Sequence, residues 1–271
     1  MLVNINTFVI KKINRIYIPY IVFALVSAVL EIIIGKLQPN APFNGPLWFL
    51  ETLFTSLMIY VAFHFIKKEK FIHILCFVLP IIVYMLTKYT EIAKILPFHL
   101  LRCLEAVFYI HLGWCYNKYL TRIEVKKQLL LIASFVIFAV GIFFSYRYYD
   151  VQAASFVNTK AYIYNLPLSI ITAIAGIMVI VFFSEIVKHM KFVNWFGRNS
   201  LVVVCVHFPL MERLNYFCFY CFTDLGVTSM PAKALLAIIC YGVTIAFSCM
   251  AILFCKKYIP KLSGYSNLIP V

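Results

Sequence analysis

Residues 162–187 read YIYNLPLSIITAIAGIMVIVFFSEIV, with Glu185 as the only charged side chain in the run. About 20 apolar residues in a helix cross the hydrocarbon core of a bilayer, so this stretch is long enough to span it. Its apolar residues are continuous rather than alternating, which favours a helix over a barrel strand. Lipid offers backbone groups no hydrogen-bond partners, and a helix satisfies its own. Working outward, the pattern recurs at 16–35, 47–66, 71–87, 95–117, 128–146, 199–220 and 233–256. The chain as a whole agrees: 64% of its 271 residues are hydrophobic and 13% are charged, against about 25% charged in soluble domains. Mean hydropathy is +0.94. These features exclude a soluble fold and predict an all-α, polytopic membrane helix bundle of about eight transmembrane helices.

The charges predict an orientation. Lys67-Lys68-Glu69-Lys70 is too polar for lipid and reads as a tight loop between the second and third spans. With the N-terminus inside, sixteen of the 24 Lys and Arg residues fall on inner segments and six on outer loops. Lys and Arg concentrate on the cytoplasmic side of membrane proteins, so both termini are expected in the cytoplasm. The net charge of +14 is then a belt facing anionic headgroups, and no nucleic-acid partner is needed to explain it. The nine cysteines are scattered along the spans, which argues against a disulfide framework. Cys218 and Cys221 read as small packing residues. Residues 1–15 read as a polar lead-in rather than a signal peptide. No linker, repeat or low-complexity tract divides the chain, and residues 1–271 read as a single domain.

Ionisable groups at membrane depth are costly and mark function or pairing. At the outer level stand Glu31, Glu51, His99, Arg102, Glu105, Glu212 and Arg213. His99, Arg102 and Glu105 recur in steps of three and share one helix stripe. They form either one outward-facing polar cavity or a set of structural ion pairs. At the inner level stand Lys12, Arg15 and Arg198, the last followed by Asn199-Ser200 at the start of an apolar run. A helix N-terminus there, with three cations, suits a phosphate. The alternative is ordinary inner-face charge with an N-cap at Asn199 or Ser200. His207 falls about two turns into the seventh span, near mid-membrane, and His111 falls in the inner half of the fourth. Either is a candidate site residue or a helix-to-helix hydrogen-bond partner. His64, His73 and His189 flank spans and read as interfacial. No HxxxH, HExxH or paired Cys/His spacing marks a metal site.

Five strings in order resemble the acyltransferase-3 family of integral-membrane O-acyltransferases, most of all its sugar O-acetylase branch. Residues Lys11 to Tyr20 resemble the family's basic stretch before a proline-opened helix, with Lys12 and Arg15 at its two basic positions. Pro46-Leu47-Trp48-Phe49-Leu50 resembles its LWFL motif, with Glu51 where a Pro is common. Glu105 to Gly113 is similar to a Phe-rich segment leading to Gly. Gly197-Arg198-Asn199-Ser200-Leu201 through His207 resembles its G(K/R)NSL…H helix. Pro260-Lys261-Leu262-Ser263-Gly264 resembles its usual close.

The resemblance implies transfer of an acyl group, usually acetyl from cytosolic acetyl-CoA, to a hydroxyl of a glycan on the outer side of the plasma (inner) membrane. Acetyl-CoA would be a co-substrate, with no bound cofactor. Lys12, Arg15 and Arg198 would meet the CoA phosphates. Trp48, Glu51, Arg102 and Glu212 would meet the sugar. The family also implies about ten spans and a His in the first of them, whereas residues 1–30 hold none. The expectation is therefore an enzyme short of two N-terminal helices, with His207, His99 and Glu105 as the candidate catalytic groups of this chain. A catalytically dead relative, a glycan-lipid transporter and an accessory subunit are the readings from other classes.

Overall fold

A computed structural model of the chain describes residues 5–33, 47–63, 65–66, 68–89, 100–119, 127–149, 166–223 and 229–270. Among them helices dominate and no strand forms, as an all-α membrane bundle requires. In chain order the helices are α1 (Ile5–Lys12), a π-helical turn (Ile13–Tyr17), α2 (Ile18–Ile33), α3 (Trp48–Phe63), α4 (Glu69–Tyr89), α5 (Leu100–Tyr119), α6 (Lys127–Tyr149), α7 (Leu166–Val187), α8 (Lys191–Arg198), α9 (Ser200–Thr223) and α10 (Met230–Tyr258). Within the described residues, each of the eight predicted stretches overlaps one of these helices. Five stretches are both long and apolar enough to cross a bilayer: Ile5–Val29, Glu69–Tyr89, Gln128–Arg147, Leu166–Val187 and Met230–Tyr258. Helix α3 is apolar but shorter, at 16 residues. Helices α5 and α9 interrupt their apolar surface with Arg102, Glu105 and His111, and with His207.

Residues 1–15 were expected as a polar lead-in, yet the chain is helical from Ile5. Ile5, Phe8, Val9, Ile13 and Ile16 repeat at three and four residues, an amphipathic pattern that favours helix. Lys12 lays its ammonium over the Phe8 ring at 5.2 Å, one turn earlier. The π turn that follows has a local cause. Pro19 has no N–H to offer the carbonyl four residues back, at Arg15, and its ring crowds that carbonyl. The helix widens instead, and Ile18 N–H bonds to the Ile13 carbonyl. Such turns interrupt regular helices mostly at functional positions.

The chain forms two compact units, Met1–Phe54 with Trp195–Val271, and Thr55–Asn194. In the first unit α9 packs along α10 and touches α2. The π turn meets α3 through Tyr17 stacked on Phe54, with ring centroids 4.8 Å apart. In the second unit α4 pairs with α5 and α6 with α7. The α4–α5 core is built on Tyr60, Cys76, Leu79 and Val107. The α6–α7 pair uses small residues to bring two backbones together. A Cβ on Gly141 would lie 2.1 Å from Thr172 Oγ1, and one on Gly176 would lie 2.9 Å from the Phe138 ring. Close packing at glycine is how membrane helices associate without a hydrophobic driving force between them. The outward faces carry large exposed apolar groups such as Ile132, Phe143, Ile180, Ile238 and Leu253. Water would penalise that surface and lipid does not.

Candidate functional site

The first unit builds a cavity of about 320 Å³ lined by Arg15, Arg198, Asn199, Leu201, Val202, Ser263, Gly264 and Tyr265. Three separate stretches supply it: the π turn, the α8–α9 junction and the segment after α10. Each arrives for a local reason. Pro19 opens the helix at Arg15, as described above. At Asn199 a single turn residue separates α8 from α9. The Asn199 carbonyl accepts from Val202 N–H at 3.1 Å, the first bond of α9.

The expected side-chain N-cap at this junction does not form at Asn199. Its amide donates back to the Trp195 carbonyl instead. The break is only one residue wide, so the terminal carbonyls of α8 lie within reach and need a donor.

The segment after α10 folds back through its own hydrogen bonds. Tyr265 N–H and Ser266 N–H both reach the Pro260 carbonyl, at 2.9 and 3.0 Å. Ser263 Oγ donates to the Ile259 carbonyl at 2.7 Å. Asn14, fully buried in the π turn, then clamps the tail. Its amide donates to the Ile269 carbonyl at 2.8 Å, and its Oδ1 accepts from Leu268 and Ile269 N–H at 2.9 and 2.8 Å. Gly264 sits at φ +81°, where an added Cβ would lie 3.0 Å from Pro19 Cγ and 3.2 Å from the Arg15 carbonyl oxygen. Only glycine takes that conformation without cost and approaches so closely. Gly264→Ala is therefore expected to lower stability by about 1–2 kcal/mol, read as a reduced Tm of the purified protein. An unchanged Tm would contradict this packing.

The chemistry of the cavity follows from its lining. Two exposed arginines line it, with an amide, two hydroxyls and, among the described residues, no carboxylate. Arginine presents rigid donor forks that match phosphate oxygens. The N-terminus of the 24-residue α9 opens beside Arg198, and helix N-termini favour anions. The Tyr265 hydroxyl is buried with no hydrogen-bond partner among the described residues. Burial pushes its pKa up to about 12, so it stays a neutral donor. Lys256 lies over the rings of Trp195 and Tyr265, at 5.6 and 5.1 Å, which ties α10 to both walls.

Of the sequence-derived inner set, Arg15 and Arg198 line this one cavity. Lys12 does not, because its side chain turns to Phe8. Asn14, Ser263 and Tyr265 were not singled out from the sequence. Their only signals were a proline four residues after Arg15 and the glycine that ends the Pro260–Gly264 string.

The remaining candidates are dispersed. His207 Nδ1–H donates to the Val203 carbonyl at 2.8 Å, one turn earlier on α9. That bond holds the ring in the tautomer whose Nε2 carries the free lone pair. Glu51 Oε2 accepts from the Tyr20 hydroxyl at 3.3 Å, and its buried Oε1 has no partner among the described residues. Trp48 opens α3 with its ring edge-on to Phe49. These residues belong to the first unit, whereas Arg102 and Glu105 lie half-buried on α5 in the second. His99 and the side chains of Glu31, Glu212 and Arg213 lie outside the described residues. Cys218 Sγ lies 3.3 Å from Cys240 Sγ, across α9 and α10, and all nine cysteines are free thiols.

No curated protein and no solved structure matches the chain. A family model described as an acyltransferase domain, that of the acyltransferase-3 family, matches residues 3–255, nearly the whole length. With the apolar helices described above, the match shows that this chain belongs to the acyltransferase-3 family and is a membrane acyltransferase.

Proposed function

We propose that the chain moves an acetyl group from cytosolic acetyl-CoA to a hydroxyl of an extracytoplasmic glycan, as a sugar O-acetylase of the plasma (inner) membrane with both termini cytoplasmic. One observation carries the reading: Arg15 and Arg198 line a single cavity in which no carboxylate stands among the described lining residues. CoA brings three phosphate groups, and two guanidinium forks with a helix N-terminus are suited to hold them. The neutral Tyr265 hydroxyl adds one uncharged donor. The concentration of Lys and Arg on the inner loops supports cytosolic entry of the donor.

Transfer needs a base. His207 Nε2, whose lone pair the Nδ1–H bond to Val203 leaves available, accepts the proton of a sugar hydroxyl. The oxygen attacks the thioester carbonyl, and the C–S bond breaks to release CoA thiolate, which takes up a proton. Glu51 Oε1 is a buried acceptor awaiting a donor, and sugar hydroxyls are donors.

The test is CoA release and acceptor acetylation by the purified chain in nanodiscs. His207→Ala is expected to abolish turnover while CoA binding persists. Glu51→Gln is expected to raise the acceptor KM by up to about tenfold, the loss of charge assistance to one hydrogen bond, with CoA affinity unchanged. Full turnover in His207→Ala would overturn its role as base, and an unchanged acceptor KM would overturn that of Glu51.

A further inference from the structure

The second unit holds a cluster that acyl transfer does not use. His73 on α4 and His111 and Cys115 on α5 bring Nδ1, Nε2 and Sγ within 4.8 Å of one another. We propose that these three residues form a zinc-class metal site that ties α4 to α5.

The geometry is that of ligands around a shared ion. His73 Nδ1 lies 2.9 Å from His111 Nε2, and Cys115 Sγ lies 3.7 Å from the same His111 nitrogen. In a tetrahedral site with bonds of about 2.0–2.3 Å, ligand atoms stand roughly 3.3–3.7 Å apart. The three atoms lie within 4.8 Å of one another, so opening the His–His pair while Cys115 closes toward His73 would admit the ion.

The ring nitrogens pointing away from the cluster are both engaged. His73 Nε2 faces Glu69 Oε1 at 3.6 Å, and His111 Nδ1 meets the Tyr60 hydroxyl at 3.1 Å. Metal-binding histidines almost always donate their second N–H to a carboxylate or another oxygen, which fixes the tautomer and turns the free nitrogen to the metal. Glu69 is itself held by Lys118.

Trp114 lies parallel to the His111 ring, 5.6 Å away and tilted by 13°. Phe77 meets His111 edge-on, so the ring's orientation is set before any metal arrives. Two imidazoles and a thiolate suit zinc. Binding converts the Cys115 thiol to thiolate and releases its proton to solvent. Water completes the fourth corner.

The test uses the full chain in detergent, freed of metal by chelation and then titrated with Zn²⁺ and, separately, Co²⁺. The expected result is about one metal per chain, with a thiolate-to-cobalt charge-transfer band and tetrahedral cobalt absorption. Cys115→Ser, nearly isosteric, should abolish the charge-transfer band while helical content and elution volume persist. Cys76→Ser should retain the band. Glu69→Gln and Tyr60→Phe should keep the band and weaken affinity about 10–100-fold. A wild-type chain that takes up no stoichiometric metal would overturn the proposal, as would a band that survives Cys115→Ser. The readout is metal binding, so it stands or falls independently of acetyl transfer.

Discussion

Arg15→Ala is expected to weaken acetyl-CoA binding by about 10–100-fold, and Arg198→Ala by a similar factor. Each would remove the charge-assisted hydrogen bonds proposed to phosphate, worth about 1.5–3 kcal/mol, and each 1.4 kcal/mol is a tenfold change in affinity. Because both guanidinium groups line one cavity, they would share a ligand, and the double variant should fall short of the product of the single effects. Arg15→Lys should recover only part of the loss, since a point charge cannot reproduce the planar fork. Lys12→Ala should change affinity least of the three, because that side chain rests on Phe8. Titration calorimetry in nanodiscs measures all of these. Wild-type affinity in both Arg15→Ala and Arg198→Ala would remove the cavity from the donor site.

Asn14→Ala is expected to release the carboxy-terminal segment. The side chain is fully buried and makes three hydrogen bonds to the backbone of Leu268 and Ile269. Each buried bond contributes about 0.5–1.5 kcal/mol, and the groups left behind must find water or stay unsatisfied. A local loss of about 2–4 kcal/mol follows. It should appear as faster amide hydrogen exchange over residues 262–270 and as earlier cleavage by carboxypeptidase, with exchange in α4 and α5 unchanged. Ser263, Gly264 and Tyr265 line the cavity, so CoA affinity should fall too, although no phosphate contact is removed. Unaltered exchange in the tail would show that Gly264 and the turn at Pro260 hold it without Asn14.

Arg15 and Arg198 were legible as a pair because both are cations at the ends of apolar runs, where solvation confines charge whatever the helices do later. His207 was legible because a histidine within a long apolar run is rare. Lys12 illustrates the limit. It shares a charge and a helical stretch with Arg15, yet one π turn rotates the two apart, and that turn depends on the Pro19 ring meeting the Arg15 carbonyl. Asn14 looks like any polar residue beside a basic run. Its partners lie about 255 positions away, and nothing local announces them.

The composition and continuity of the apolar runs determined the solvent, and with it the all-helical architecture, because lipid leaves the backbone no other way to satisfy its hydrogen bonds. The ordered motifs likewise carried the family. Tertiary structure decided what meets what. It joined Arg15, Arg198 and the tail into one cavity and separated Lys12 from it. It also brought His73 to His111 and Cys115, although no chain spacing marked a metal site. The reason is that helical periodicity reports which face a residue occupies, whereas convergence of faces from distant helices depends on packing between backbones. In this chain that packing turns on Gly264 against Arg15 and on α4 against α5.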